Sequence, residues 1–144
     1  MTAACQFCQI AAGEKAAHVV LEGDETIAFL DHRPVFPGHT LLVPRRHAVT
    51  LGDLPDELIA PLFTDARLLA RAMEGGFGAH GTFVAMNNRI SQSVSHLHVH
   101  VVPRHRKDGL RGFFWPRQPY ASEEEAAEVA ARVRAAVDAC RQDC

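Results

Sequence analysis

Runs of alternating or clustered apolar residues predict five short strands, over residues 18–21, 26–30, 39–43, 82–87 and 97–102. Between the third and fourth strands, apolar residues recur at spacings of three and four from Pro55 to Gly75, which predicts an amphipathic helix. Its apolar face is predicted to comprise Ile59, Leu62, Phe63, Ala66, Leu69, Ala70 and Met73. A shorter helical turn is predicted at the N-terminus, ending at Gly13.

A second main helix is predicted at the C-terminus, over about residues 122–141. Ser122 and Glu125 have the spacing of a capping box, and one face is predicted to carry Val129, Val133, Val137 and Cys140. The order of strands, helix, strands and helix is typical of an α+β fold with a mostly antiparallel sheet.

Composition narrows the class of protein. The length of 144 residues suggests one domain over 1–144, with 47% hydrophobic and 22% charged residues and a net charge of -2. This balance argues against nucleic acid as a partner that is bound through bulk charge. No apolar run is long enough to span a membrane, and no secretory signal is recognisable. We therefore expect a cytoplasmic protein without a membrane partner, whose four cysteines are metal ligands or free thiols.

Three histidines alternate with apolar residues in the last predicted strand. Side chains alternate between the faces of a strand, so His96, His98 and His100 should share one face, while Leu97 and Val99 point to the core. The pattern is compatible with an exposed polar strand or with a three-histidine metal site. The metal site has a difficulty of reach, because histidines at i, i+2 and i+4 of a strand span roughly 13 Å. The pattern is also compatible with an imidazole that acts as a nucleophile or as an acid–base group.

The motif His-x-His-x-His, preceded by Gln92-Ser93-Val94, resembles that of the histidine triad (HIT) proteins, which are nucleotide hydrolases and transferases. The resemblance covers most of the chain, through Phe7 with Ile10, Ala28 to Asp31, Pro37 to Pro44 with His47, and His96 to Arg104. It implies a single HIT domain over 1–144, with a five-stranded sheet, two main helices and a homodimer in which two sheets join.

The resemblance also implies the roles of individual residues. His98 would attack the α-phosphorus of a purine nucleotide, forming a nucleotidyl-histidine that water then resolves, with His100, His39 and Gln92 as further catalytic residues. The substrate would be a nucleoside phosphoramidate or a dinucleoside polyphosphate. The implied nucleotide-binding residues are Phe7, Ile10, Phe29, Asp31, Leu41, Asn88, Gln92, Ser93, His98 and His100.

The loop before Gln92 departs from the pattern of the family. It is short, Ser91 stands where glycine is common, and either Asn87 or Asn88 could take the role of the family's asparagine. Arg89 could supply a phosphate contact instead. This departure keeps an alternative function open, namely a purine nucleotide-binding or signalling module with little or no turnover.

The pair Cys5 and Cys8 forms a C-x-x-C motif, which by itself fits a redox dithiol, a zinc site or chance. Some bacterial HIT proteins combine such a motif with the histidine of a P-x-x-H segment and the first triad histidine. That resemblance implies a structural zinc site formed by Cys5, Cys8, His47 and His96. Zinc-dependent hydrolysis is the least favoured alternative, because four protein ligands leave no open position on the metal.

Two further features have weaker interpretations. The aromatic run Phe113-Phe114-Trp115 is interpreted as core or as a dimer contact, and Cys140 with Cys144 as free thiols at a frayed end.

Overall fold

The computed structural model describes residues 5–110 and 117–142, and the chain divides into two compact units, residues 1–108 and 109–144. The first unit contains helices α1 (Gln6–Ala11) and α2 (Asp56–Gly75), with a 3-10 turn at Leu51–Asp53. Its strands are β1 (Val19–Glu22), β2 (Thr26–Leu30), β3 (Thr40–Pro44), β4 (Gly81–Ala85) and β5 (Val99–Arg104). Residues 113–115 and Cys144 lie outside the described residues, and the single-domain organisation stays a prediction.

The five strands form one sheet in the order β1-β2-β3-β5-β4, and every neighbouring pair is antiparallel. The predicted α+β fold with a five-stranded antiparallel sheet is therefore confirmed. In the register of this sheet, His100 lies opposite Leu41, Leu41 opposite Phe29, and Phe29 opposite Val19. These four residues form a row that crosses the sheet from β5 to β1.

The two faces of the sheet are covered by different helices. Helix α2 covers one face through a core that comprises Ala28, Leu42, Leu97, Val99, Val101, Leu58, Leu62, Ala66, Leu69 and Met73. The other face packs against α1, in a smaller cluster that comprises Phe7, Ile10, Ile27, Phe29, Leu41 and Val43. Because β-strand side chains alternate between faces, the residues at odd positions of β2 and β3 meet α1.

The apolar face of α2 is rotated relative to the prediction. Leu58 is buried, whereas Ile59 and Phe63 are 37% and 44% exposed. The buried positions follow spacings of four, four, three and four from Leu58 to Met73, and Ile59 and Phe63 each lie one residue, or about 100°, around the helix from that line. The prediction was therefore wrong for these two side chains.

The second unit contains helix α3 (Glu123–Gln142), close to the predicted range. The Ser122 hydroxyl accepts a hydrogen bond from the backbone N–H of Glu125, as the capping signature predicts. Among the described residues, no helix combines the length and apolarity that a membrane span requires.

Candidate active site and metal centre

The middle histidine of the triad is held in one tautomer by the backbone. His98 Nδ1 lies 2.7 Å from the carbonyl oxygen of His96, and a carbonyl can only accept, so Nδ1 carries the hydrogen. In the neutral ring, Nε2 then has a free lone pair. His98 is only 3% exposed, and its ring lines a cavity of about 1030 Å³. The geometry thus presents a nucleophilic nitrogen without needing a metal ion.

The first two triad histidines precede the strand, which differs from the sequence prediction. Strand β5 begins at Val99, where its pairing with β3 starts, opposite Leu42. Just before it, the backbone N–H of Leu97 donates to the carbonyl oxygen of Ala48, a residue outside the sheet. The chain before Val99 is therefore outside the hydrogen-bonded pairing of the sheet. Hydrogen bonds to main-chain carbonyls, and not strand pairing, orient the rings of His96 and His98.

A second hydrogen-bond chain orients His100. The backbone N–H of Val35 donates to His39 Nδ1 at 3.1 Å, so the hydrogen of the neutral His39 ring lies on Nε2. That nitrogen is 2.9 Å from His100 Nδ1, which must accept. His100 therefore bears its own hydrogen on Nε2 and can donate from it to an anionic oxygen.

Burial keeps both of these rings neutral. The pKa of His100 is lowered to about 4, chiefly by loss of solvent and in addition by the nearby His98 and His39, against the opposing effect of the Asp31 carboxylate. Burial also lowers the pKa of His39, although the carboxylate of Asp31 opposes this effect. Asp31 Oδ2 lies 3.7 Å from His39 Nε2. The tautomers assigned above therefore hold at neutral pH.

Replacing His100 with Gln should reduce the acid sensitivity of folding. The pKa of His100 is about 4 in the folded protein against 6.5 as the reference value, so the unfolded chain binds more protons between these pH values. The free energy of unfolding then falls as pH decreases from 6.5 towards 4. Urea unfolding at pH 7.5, 6.0 and 5.0 should show a smaller loss in His100→Gln than in the unmodified protein. His105→Gln, at an exposed histidine, is the control and should lose as much stability as the unmodified protein. An equal loss of unfolding free energy in His100→Gln and the unmodified protein would contradict this expectation.

Most of the predicted nucleotide-binding residues line the same cavity. It is bordered by Phe7, Ile10, Phe29, Asp31, Leu41, Ser93, His98 and His100 from the predicted set. The first three and Leu41 are buried apolar side chains from α1, β2 and β3. His39 stands behind His100, outside the lining, and contributes through its hydrogen bond. The cavity therefore combines apolar walls, one carboxylate, the two triad histidines, two further histidines (His18 and His32) and the cationic side chains of Lys15 and Arg33.

Gln92 and Asn88 are not brought to the cavity lining. The side-chain oxygen of Gln92 accepts from the backbone N–H of Arg89, and its amide nitrogen donates to the Val49 carbonyl. Asn88 accepts from the backbone N–H of Leu51. Both side chains thus fasten the loop over residues 87–92 to the segment that precedes α2.

The backbone of this loop explains the glycine that is common in the family. Ser91 has a φ of 59°, and Arg89 has a φ of 72°. Both angles lie in the left-handed region, which favours glycine because a Cβ atom is crowded there. The loop therefore keeps a conformation suited to glycine while carrying side chains at both positions.

The four predicted metal ligands converge at the N-terminal end of α1. Their ligand atoms all lie within 4.8 Å of one another. The sulfur atoms of Cys5 and Cys8 are 3.4 and 3.5 Å from His96 Nδ1, Cys8 is 3.4 Å from His47 Nδ1, and the two Nδ1 atoms are 3.2 Å apart. Tetrahedral zinc with ordinary bond lengths separates sulfur from nitrogen by about 3.5 Å and two nitrogens by about 3.3 Å. The four residues therefore fit a tetrahedral metal ion.

A hydrogen bond behind His96 prepares its ring for ligation. His96 Nε2 lies 2.8 Å from the carbonyl oxygen of Pro44, so Nε2 carries the hydrogen and Nδ1 has a free lone pair. Such a partner is typical of histidines that bind metals. The ring is completely buried.

A second group of possible ligands, Asp31, His39 and His100, has similar separations. Its tautomers argue against metal binding. His39 Nε2 carries a hydrogen because Nδ1 accepts from Val35, and moving that hydrogen to Nδ1 would place it against the Val35 N–H. This group is therefore better suited to hydrogen bonding than to ligation.

The metal cluster and the cavity share structural parts. Phe7 lies between Cys5 and Cys8 in α1, and its ring packs edge-on against His98 at 5.3 Å and against Phe29 at 5.3 Å. The carbonyl of His96, a predicted ligand, fixes the tautomer of His98. Sequence analysis missed these links, and it also missed the backbone N–H of Val35, because main-chain groups carry no residue-type signal.

Comparison with known proteins gives consistent matches. Residues 12–107 match the sequence model of the HIT domain. The adenosine 5'-monophosphoramidase of Saccharomyces cerevisiae is 35% identical over 122 residues, which are 82% of this chain and 73% of that protein. A protein of Streptococcus mutans has a crystal structure with a TM-score of 0.86 and 29% identity, covering 95% of this chain and 87% of that one. A zinc-bound histidine triad protein from Mycobacterium smegmatis has a TM-score of 0.70 and 36% identity, with 92% and 97% covered.

Proposed function

The chain belongs to the HIT domain family, and we propose that it is a nucleotidyl hydrolase or transferase that cleaves purine nucleotides at the α-phosphate. The observation that carries this proposal is the hydrogen bond from His98 Nδ1 to the His96 carbonyl, which leaves Nε2 as the nucleophile in the cavity. A relative named adenosine 5'-monophosphoramidase favours phosphoramidates as one substrate class.

The proposed reaction has two displacements. The Nε2 lone pair of His98 attacks the α-phosphorus while the bond from phosphorus to the leaving group breaks, and the leaving group departs with that electron pair and takes up a proton from solvent. Water then attacks the same phosphorus and gives up a proton to solvent, the P–N bond breaks with its electron pair returning to His98 Nε2, and the nucleoside monophosphate leaves. His100 donates from Nε2 to a phosphate oxygen throughout, because its other nitrogen accepts from His39.

The nucleoside would lie along the apolar walls of the cavity. Phe7, Ile10, Phe29 and Leu41 would enclose the base, and the Asp31 carboxylate would accept hydrogen bonds from the ribose hydroxyls. Ser93, which lines the cavity, would contact a phosphate oxygen.

Trapping the intermediate tests this function. Quenching a reaction with a purine nucleoside phosphoramidate within milliseconds should give a protein whose mass has increased by one nucleotidyl group, mapped to His98 by peptide analysis. Alkaline quenching is required because the P–N bond is labile in acid. A protein that turns over substrate without ever carrying this adduct would contradict the covalent route.

A purine nucleotide-binding or signalling module with little turnover is a second candidate. It is favoured by Gln92, whose amide is occupied by Arg89 and Val49 and does not line the cavity. This module would bind purine nucleoside monophosphates but release no product faster than the uncatalysed reaction.

The proposal includes structural zinc held by Cys5, Cys8, His47 and His96 and a homodimer with joined sheets. Zinc is supported by the fit of the four ligands and by the zinc-bound relative. Dimerisation is supported by the exposed apolar side chains Ile59 and Phe63 on α2 and Val84 on the edge strand β4. Since the ligating cysteines must be reduced, the proposal also includes a cytoplasmic location.

A further inference from the structure

The row of residues that crosses the sheet gives the cavity a long axis. His100, Leu41, Phe29 and Val19 lie on four successive strands, so the triad and the start of β1 are about 14 Å apart. This length suits a nucleoside monophosphate whose phosphate lies at the triad. The base, and within it the six-membered ring of a purine, would then lie at the end of the cavity formed by α1 and the segment before β1.

Three polar side chains line this distal end, those of Gln6, Lys15 and His18, and the first two are joined to each other and present hydrogen-bond donors. Lys15 Nζ lies 3.1 Å from the side-chain oxygen of Gln6, and both residues border the cavity. An ammonium group can only donate, so the atom that faces it must be the Gln6 oxygen, and the NH₂ group of Gln6 remains as a donor. Lys15 keeps two further N–H donors.

Three backbone acceptors in the second half of α1 are already engaged. The carbonyl of Gln9 accepts from Glu14 and Lys15, and those of Ile10 and Ala11 accept from Gly13 and from the Arg45 side chain. No ion pair involving Lys15 is found within residues 5–110 and 117–142. Lys15 and Gln6 therefore present donors and a positive charge that no carboxylate of the described residues pairs with.

We propose that Lys15 and Gln6 make this site selective for 6-oxopurine nucleotides over 6-aminopurine nucleotides. This inference rests on the proposed function, which places the phosphate at the triad and the base at the distal end. A 6-oxopurine carries adjacent acceptors at O6 and N7, which is the edge that a lysine recognises. Adenine places an amino group at position 6, where it faces other donors. A glutamine can pair with that amine through its carbonyl oxygen, but Lys15 holds the oxygen of Gln6.

Inosine and adenosine 5'-phosphoramidates test the selectivity, because their bases differ only in the group at position 6 and in the hydrogen that accompanies it on N1. We expect kcat/KM for the inosine substrate to exceed that for the adenosine substrate by about three- to tenfold, as one or two partly exposed hydrogen bonds imply. Lys15→Met should bring the ratio to about one, and Lys15→Arg should retain the preference. Lys107→Met, at the only other lysine of the chain, is outside the cavity lining and should leave the ratio unchanged.

Binding separates this inference from the proposed function. The Kd values of inosine 5'-monophosphate and adenosine 5'-monophosphate are measured by calorimetry on the zinc-loaded protein and on Lys15→Met. If the protein prefers the inosine nucleotide in a Lys15-dependent way but shows no turnover, the proposed enzymatic function is contradicted and the proposed selectivity is supported. Equal affinities, a preference for the adenosine nucleotide, or a ratio unchanged by Lys15→Met would overturn the selectivity.

Discussion

Replacing His98 with Ala is expected to lower kcat for phosphoramidate hydrolysis by about 10⁴-fold or more, because the change removes the attacking atom itself. The other triad histidine of the cavity cannot supply this lone pair in its place. His100 Nε2 carries a hydrogen, since His100 Nδ1 accepts from His39. Steady-state release of the amine, measured at saturating substrate, checks the expected loss.

Two controls make this result interpretable. His105→Ala changes an exposed histidine outside the cavity lining and should keep its rate within twofold of the unmodified protein, as surface substitutions generally do. His98→Ala should still bind inosine 5'-monophosphate, because the apolar walls and Asp31 remain. A His98→Ala protein that binds nucleotide and retains more than a tenth of the rate would refute the nucleophile.

Much of the fold follows from simple periodicity. Leu97, Val99 and Val101 alternate with the histidines and are completely buried in the core, as strand alternation predicts. The same reasoning was less successful for α2, where Ile59 and Phe63 are as apolar as Leu58 but more exposed. Sequence spacing defines a broad stripe on a helix, and only the partner surface selects which edge of the stripe is buried.

The candidate site divides in the same way. The C-x-x-C motif and the histidines have side chains of distinctive chemistry, and a family resemblance groups four of them into the cluster that the structure brings together. The hydrogen bonds that fix the tautomers come instead from the main chain of Val35, Pro44 and His96. Any residue type supplies such a group, so its place is determined only once the chain has folded.

Replacing Cys8 with Ser is expected to remove bound zinc and to lower the thermal unfolding midpoint by about 10 °C or more, because metal binding contributes directly to folding free energy. Cys8 is buried and lies near both histidine ligands. The purified unmodified protein should contain about one zinc ion per chain. Elemental analysis of metal content, together with thermal unfolding, measures both effects.

Cysteine controls define what counts against the metal site. Cys5→Ser should lose zinc like Cys8→Ser, whereas Cys140→Ser, at an exposed cysteine of α3, should keep its zinc and its unfolding midpoint. Less than roughly 0.2 zinc per chain in the unmodified protein would contradict the site, given the affinity of structural zinc sites. So would equal zinc content in Cys8→Ser and Cys140→Ser.

Loss of zinc should also weaken nucleotide binding, even at a temperature where the variant stays folded. Helix α1 has only six residues, its N-terminus is capped by the Cys5 sulfur, and it carries Phe7 and Ile10 into the apolar wall. So short a helix is not stable by itself, which means that releasing Cys5 and Cys8 frees this wall to move. If the metal fixes Phe7 against His98, the Kd of inosine 5'-monophosphate for folded Cys8→Ser at 10 °C should be about tenfold higher than for the unmodified protein. An unchanged Kd would show that zinc stabilises the fold without shaping the cavity.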